Sequence, residues 1–145
     1  MSTILFVCQH GGAKSVIAAS YFNRSGLPIS AVAAAAEEPY EGVPEPVVEL
    51  LAREGDDVRA FKPRRVEEED FDAATKIVSI GCGLSGAPGS QPGIEDVDGL
   101  RARRSREDVI ERWDDVPPAS EDLEGSAAAI RRHVDALVAE LRGRL

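Results

Sequence analysis

Residues 3–15 read TILFVCQHGGAKS. A β-branched and apolar run, Thr3 to Val7, meets a cysteine, two glycines and a lysine, and a helical pattern begins at Ala13. An apolar run this short, closed by glycine, predicts a buried strand. A strand that turns directly into a helix is the opening unit of an α/β sheet, so the rest of the chain is expected to alternate strand with helix.

It does alternate. A helix is expected over Ala13 to Arg24, with Val16, Ile17, Ser20 and Tyr21 near one face and Gly26 and Pro28 as its stop. Ile29 to Ala36 (ISAVAAAA) reads as a second strand, although its alanines suit a helix equally well. Val43 to Glu54 reads as a helix with proline in its first turn, an inner stripe of Val47, Leu50 and Leu51, and Gly55 beyond its end. Ala60 to Val66 is a basic connector, and the acidic run Glu67 to Asp72 begins a short helix on a solvated face. Lys76 to Gly81 is the clearest later strand and ends at Cys82. Gly83 to Asp108, rich in Gly, Pro, Ser and charge, reads as a long loop. Val109 to Trp113 reads as a last strand. Glu124 to Leu141 is amphipathic, with Ile130, Val134, Leu137, Val138 and Leu141 at helical spacing. The expected architecture is one domain over residues 1–145, a three-layer α/β fold with an open, parallel, four-stranded sheet flanked by helices. In such sheets ligands sit beyond the carboxyl ends of the strands, where Cys8 and Cys82 both fall.

Composition removes several function classes. The net charge of −9 opposes a nucleic-acid partner, whose binders carry a basic footprint. No apolar run reaches the ~18 residues of a membrane span, and no secretory pattern opens the sequence, so a cytoplasmic, membrane-free protein is expected. The two cysteines are expected to be free, catalytic or redox-active rather than a structural staple, and neither has zinc-site spacing.

The loop after the first strand carries specific chemistry. Gly11 and Gly12 let successive backbone N–H groups turn inward as an anion nest. The next helix adds its positive end to the same spot. A thiol placed there is stabilised as the thiolate nucleophile. Lys14 adds a positive charge, and Ser15 can donate a hydrogen bond to the sulfur. The expected target is a tetrahedral oxyanion, phosphate or arsenate. A plainer reading makes Cys8 a small buried residue at a strand end and the glycines a simple turn.

These residues resemble the low-molecular-weight protein-tyrosine phosphatase superfamily and the arsenate reductases that share its fold. The family loop is a cysteine, five residues, an arginine and a serine or threonine. Cys8 and Ser15 match it, and His10 looks more like the reductase branch. EEPYEGVPEPVVELLAREG with FKPRRV, FDAATKIVSIGCG, and RWDDVPPASEDLEG with the final helix extend the likeness over nearly the whole chain. The resemblance implies Cys8 as nucleophile, with Gln9, His10, Gly11, Gly12, Ala13, Lys14 and Ser15 around the oxyanion. It implies Cys82 as the second redox cysteine, and no bound cofactor or metal. Regeneration would fall to an external thiol system (thioredoxin, glutathione or mycothiol) and its redox partner protein. In the phosphatase alternative Cys8 forms a phosphocysteine on a phosphorylated substrate. A third reading keeps the oxyanion pocket without turnover.

The chain departs from the family pattern at four points. Lys14 stands where the family has arginine, replacing a planar fork with a point charge. Gly11 stands where a bracing asparagine is usual. The family's acid precedes a proline in the last loop; here that position holds Pro117, with Asp114 or Asp115 as substitutes if the loop shifts. Ala87 replaces a further cysteine, which rules out a three-cysteine relay. A Cys8–Cys82 disulfide requires their alpha carbons within ~7 Å. Tyr40 is a candidate pocket edge, and His10 lines the pocket or braces the loop. His133 is expected at the surface or boundary, Trp113 and Tyr21 in or near the core. Arg101, Arg103, Arg104 and Arg106 read as a solvated cluster; the sharper reading folds one of them over the pocket.

Overall fold

The computed structural model describes residues 3–81 and 110–143. Cys82 and the arginine cluster at 101–106 lie outside the described residues. The strands are β1 (Thr3–Cys8), β2 (Ser30–Ala35), β3 (Lys76–Ile80) and β4 (Ile110–Trp113). The helices are α1 (Lys14–Asn23), α2 (Glu45–Arg53), α3 (Glu68–Ala73) and α4 (Leu123–Arg142). Every strand pairing is parallel, in the order β2-β1-β3-β4. This is the expected α/β architecture.

Alternation along β1 divides the core. Ile4, Phe6 and Cys8 face one layer with Ile17 and Phe22 of α1, Leu51 of α2, and Ile130 and Val134 of α4. Leu5 and Val7 face the other layer with Val66, Phe71 of α3 and Ile77. The period of two that marks a strand thus fills both faces with apolar side chains, as a parallel sheet requires. Phe6 joins the first layer to β4, its ring centroid 5.5 Å from Trp113 and 6.2 Å from Phe22.

One expectation needs correction. The sequence suggested a single inward face for α1, yet every residue from Ser15 to Phe22 is buried. The helix lies against the sheet with α4 packed on it, so it is covered on more than one side. Its alanines and serines suit that place because small side chains let neighbouring backbones approach. By contrast α2 buries Val47, Val48, Leu50 and Leu51 and exposes the rest, as its pattern predicts. The run at Glu67–Asp70 is also more than a solvated face. Glu67 and Asp70 form a reciprocal capping box on α3, and the Arg64 guanidinium donates to both Asp70 oxygens at 2.6 and 2.7 Å. Among the described residues, no helix is long and apolar enough to cross a membrane, and no group of three or more His, Cys, Asp or Glu side chains is placed to hold a metal.

Candidate active site

The strand order puts Cys8 at a distinctive position. After β1 the sheet grows outward through β2 on one side and through β3 and β4 on the other. Cys8 ends β1, at the point where the direction of growth reverses and where open α/β sheets form their ligand crevice.

The loop from Gln9 to Ala13 curls back over that strand end. Gly11 has φ +66°, a conformation that side chains rarely adopt. A Cβ there would lie 2.8 Å from Ala35 N and 2.9 Å from Ala34 C, so the loop backbone rests directly on β2. Gly11 is thus suited to this close approach. The chain leaving β2 runs beside the loop and ties it down. Ala36 N–H donates to Cys8 O at 2.9 Å, Glu37 N–H to Gln9 O at 2.9 Å, and Tyr40 N–H to His10 O at 3.1 Å. Gln9 Nε2 also reaches the Glu37 carboxylate, at 3.4 and 3.5 Å.

Helix α1 begins without a side-chain cap at Ala13. Among the described residues, none of the amides of His10 to Lys14 donates to a backbone carbonyl. Uncapped N–H groups beside a turned loop form an anion-binding concavity. The Ser15 amide is directed at the thiol, 3.4 Å from Cys8 Sγ, and Ser15 Oγ hydrogen-bonds the same sulfur at 3.1 Å. Cys8 is 3% exposed and Ser15 0%, so the sulfur meets solvent only through the cavity above it.

That cavity has a volume of about 110 Å³. Cys8, Gln9, His10, Ala13 and Lys14, from the end of β1 and the start of α1, line it. Tyr40 and the segment Pro118, Ala119 and Ser120 complete the lining. Larger cavities of about 370 and 380 Å³ lie elsewhere, but they hold no nucleophilic thiol. A small cavity over a thiol suits a small tetrahedral anion.

His10 both lines the cavity and braces the loop. Its Nδ1 lies 2.7 Å from Glu38 O; a carbonyl only accepts, so Nδ1 carries a proton and donates it there. The Tyr40 ring covers His10 with centroids 4.8 Å apart. Tyr40 is 42% exposed, and a Cβ on Gly12 would lie 2.6 Å from its Cδ2. Gly12 thus leaves room for the aromatic wall. Lys14 lines the cavity and also reaches the end of β3, where a Cβ on Gly81 would lie 2.5 Å from its Nζ. Gly81 has φ +64°.

The two substitute acids are not brought to the thiol. Neither Asp114 nor Asp115 lines the cavity, and no carboxylate does among the described residues. Asp115 turns instead to α4, with Oδ1 2.7 Å from His133 Nε2. That hydrogen bond, reinforced by the imidazole charge, holds the Asp115 carboxyl below its ordinary range. His133 stacks on Trp113 with centroids 4.7 Å apart and planes 13° from parallel, so it is a structural boundary residue. Reading the sequence alone missed Pro118, Ala119, Ser120 and Gly81. The double proline after WDDV was the available signal that this loop is held rigid; its direction was not encoded there.

No protein-family model and no curated protein sequence matches the chain. Solved structures do. An arsenate reductase from Archaeoglobus fulgidus is 31% identical, with 94% of this chain covering 98% of that one at a TM-score of 0.69. The chain belongs to the low-molecular-weight phosphatase and arsenate reductase superfamily. YfkJ from Bacillus subtilis is 22% identical over 99% of this chain and 96% of its own, with a TM-score of 0.74. The YwlE arginine phosphatase from Geobacillus stearothermophilus is 18% identical over 99% and 95%, also at 0.74. Those two share the fold. In this chain Cys8 and Lys14 line one cavity at the head of α1, and Ser15 hydrogen-bonds the Cys8 sulfur from behind that lining.

Proposed function

We propose that the chain is an arsenate-reductase-like enzyme with Cys8 as its nucleophile. The observation that carries this reading is a thiol hydrogen-bonded to Ser15 beneath an uncapped helix start, in a cavity with no carboxylate among its described lining residues. Phosphomonoester hydrolysis needs an acid for the leaving alkoxide and then a base for water, each typically worth ~10²–10⁴-fold. Thiol resolution needs no activated water at the second step.

Arsenate settles on the loop amides with the Lys14 ammonium nearby. The Cys8 thiolate attacks arsenic, an As–S bond forms, and one arsenate oxygen leaves as water after taking protons from solvent. A second thiol then attacks Cys8 Sγ. The As–S electron pair goes to arsenic, which falls from the +5 to the +3 state and leaves as arsenite. The two thiols become a disulfide. The second thiol is Cys82 or a cytoplasmic donor of the thioredoxin, glutathione or mycothiol type, and that donor system reduces the disulfide again. No bound cofactor takes part.

A second reading within the superfamily is a phosphatase acting on a phosphorylated substrate. A third is oxyanion binding without turnover. It is favoured by Lys14, whose Nζ lies against Gly81 at the end of β3. A single-turnover experiment separates the three. Purified protein is mixed with arsenate or with p-nitrophenyl phosphate, and free thiols and products are counted. Arsenite release with loss of two thiols, abolished in Cys8→Ser, is the expected result. Phenol release with thiols intact would replace the reductase with the phosphatase. Binding without either product would leave only the third reading.

A further inference from the structure

The edge strand β2 carries a backbone feature that the oxyanion chemistry does not use. In its pairing with β1, Ala36 N–H donates to Cys8 O, and the register sets Cys8 opposite Ala35 and Phe6 opposite Ala33. The N–H and C=O groups of residues 32, 34 and 36 therefore point at β1, and those of residues 31, 33 and 35 point outward. Two of the outward pairs are satisfied. The Asn23 side chain clasps Ala31, accepting from its N–H at 2.9 Å and donating to its C=O at 3.2 Å. Ala35 pairs with the 64–66 segment, its N–H donating to Arg64 O at 2.9 Å and its C=O accepting from Val66 N–H at 2.8 Å. Ala33 lies between them. It is 5% exposed, and among the described residues no hydrogen bond meets its outward donor or acceptor. Backbone groups this deeply placed are nearly always paired.

Ala33 opens onto a cavity of about 370 Å³ beneath the 56–64 segment. This volume is at the lower end for small-molecule sites. Val16, Ala19, Val58 and Phe61 supply apolar wall. The charged lining is acidic on balance. Asp56 and Asp57 face one cation, Arg64, which is already held by Asp70. Because Asn23 closes one end of the edge and residues 64–66 the other, a peptide strand could pair over one residue only. The free pair therefore matches a short group with an acceptor and a donor side by side.

We propose that this cavity is a second ligand site, distinct from the Cys8 cavity, which takes a small, uncharged, planar carboxamide. The amide oxygen accepts from Ala33 N–H, the amide nitrogen donates to Ala33 C=O, and the apolar body lies between Val58, Phe61 and α1. The acidic rim selects against anions, the reverse of the preference at Cys8.

The test is a titration of the full-length, isotope-labelled protein followed through its backbone amide resonances. Benzamide is the probe, benzoate its anionic counterpart of the same shape, and inorganic phosphate the probe for the other cavity. A saturable shift centred on Ala33 with benzamide is expected. Benzoate should bind at least about tenfold more weakly, the effect of roughly one lost hydrogen bond. Phosphate should move residues 9–15 and leave Ala33 in place. Ala19→Met, which fills the cavity, should abolish the benzamide shift; should that variant fail to fold, Phe61→Ala removes the aromatic wall and should weaken binding. Equal binding of benzamide and benzoate, no saturable shift at Ala33 up to the solubility limit, or unchanged binding in a folded variant would each overturn the proposal.

Discussion

Ser15 Oγ stands 3.1 Å from Cys8 Sγ, and both residues are buried. The Cys8 thiol donates to this hydroxyl and the Ser15 amide donates to the sulfur at 3.4 Å; once the thiol has lost its proton, the hydroxyl can turn and donate to the sulfur as well. When the sulfur is charged, or leaves as a thiolate during resolution, this hydroxyl strengthens its hold. Hydrogen bonds to charged groups contribute ~1.5–3 kcal/mol, so Ser15→Ala should slow single-turnover thiol loss with arsenate by roughly ten- to a hundredfold. Stopped-flow thiol titration reads it directly. A rate within about twofold of the parent would remove Ser15 from the chemistry.

Gly11→Ala should unfold the protein more readily rather than merely slow it. The new methyl would meet β2 backbone at 2.8 Å, and φ +66° is strained for alanine. Overpacking costs ~1–3 kcal/mol and the backbone strain about 1 more, so a loss of roughly 2–4 kcal/mol is expected in urea unfolding. Gly12→Ala meets the Tyr40 side chain instead, which can move. Its penalty should be smaller and should be relieved in Gly12→Ala/Tyr40→Ala, a coupling that a double-mutant cycle measures.

Asp114→Asn and Asp115→Asn should leave the oxyanion reaction within about twofold of the parent, because neither side chain lines the cavity. Ala119→Asp, in contrast, places a carboxyl in the cavity wall. It should raise p-nitrophenyl phosphate hydrolysis toward the ~10²-fold that a general acid supplies. Steady-state phenol release at several pH values measures all three. A large loss in Asp114→Asn would show that the 114–120 loop delivers an acid in a different conformation.

Acid stability should depend on Asp70. Its carboxyl is held below the usual carboxylate range, chiefly by hydrogen bonds from Arg64. A carboxyl lowered in the folded state stabilises it above the unfolded value of ~3.9, and the contribution is lost as pH falls through the lower folded value. Asp70→Asn should therefore reduce stability at neutral pH and flatten the decline below about pH 4. Urea midpoints measured against pH for both proteins test this; parallel curves would exclude Asp70 as a source of the acid limb.

Much of this molecule could be read from residue order. The strand that ends at Cys8, the glycine turn, α2 with its inner stripe and α4 with its long apolar seam all obey local rules of period and punctuation. What could not be read depends on partners distant in sequence. Periodicity gave α1 one inward face because it does not register that α4 covers the other side. The pairing of Arg64 with Asp70 looked like unconnected basic and acidic runs. The placement of Pro118 to Ser120 over Cys8 depends on how β4 leaves the sheet, and the turning of Asp115 to His133 depends on α4 packing beside it.

The Lys14 ammonium lies where a Cβ on Gly81 would stand, which couples two positions far apart in sequence. The ammonium occupies the space that any side chain at 81 would claim, and the backbone there holds φ +64°. An arginine at 14 would bring a broader, flat head group to this corner in place of a single nitrogen. A side chain placed at 81 would have to displace that ammonium, so a change just past the end of β3 would be felt in the oxyanion cavity through Lys14.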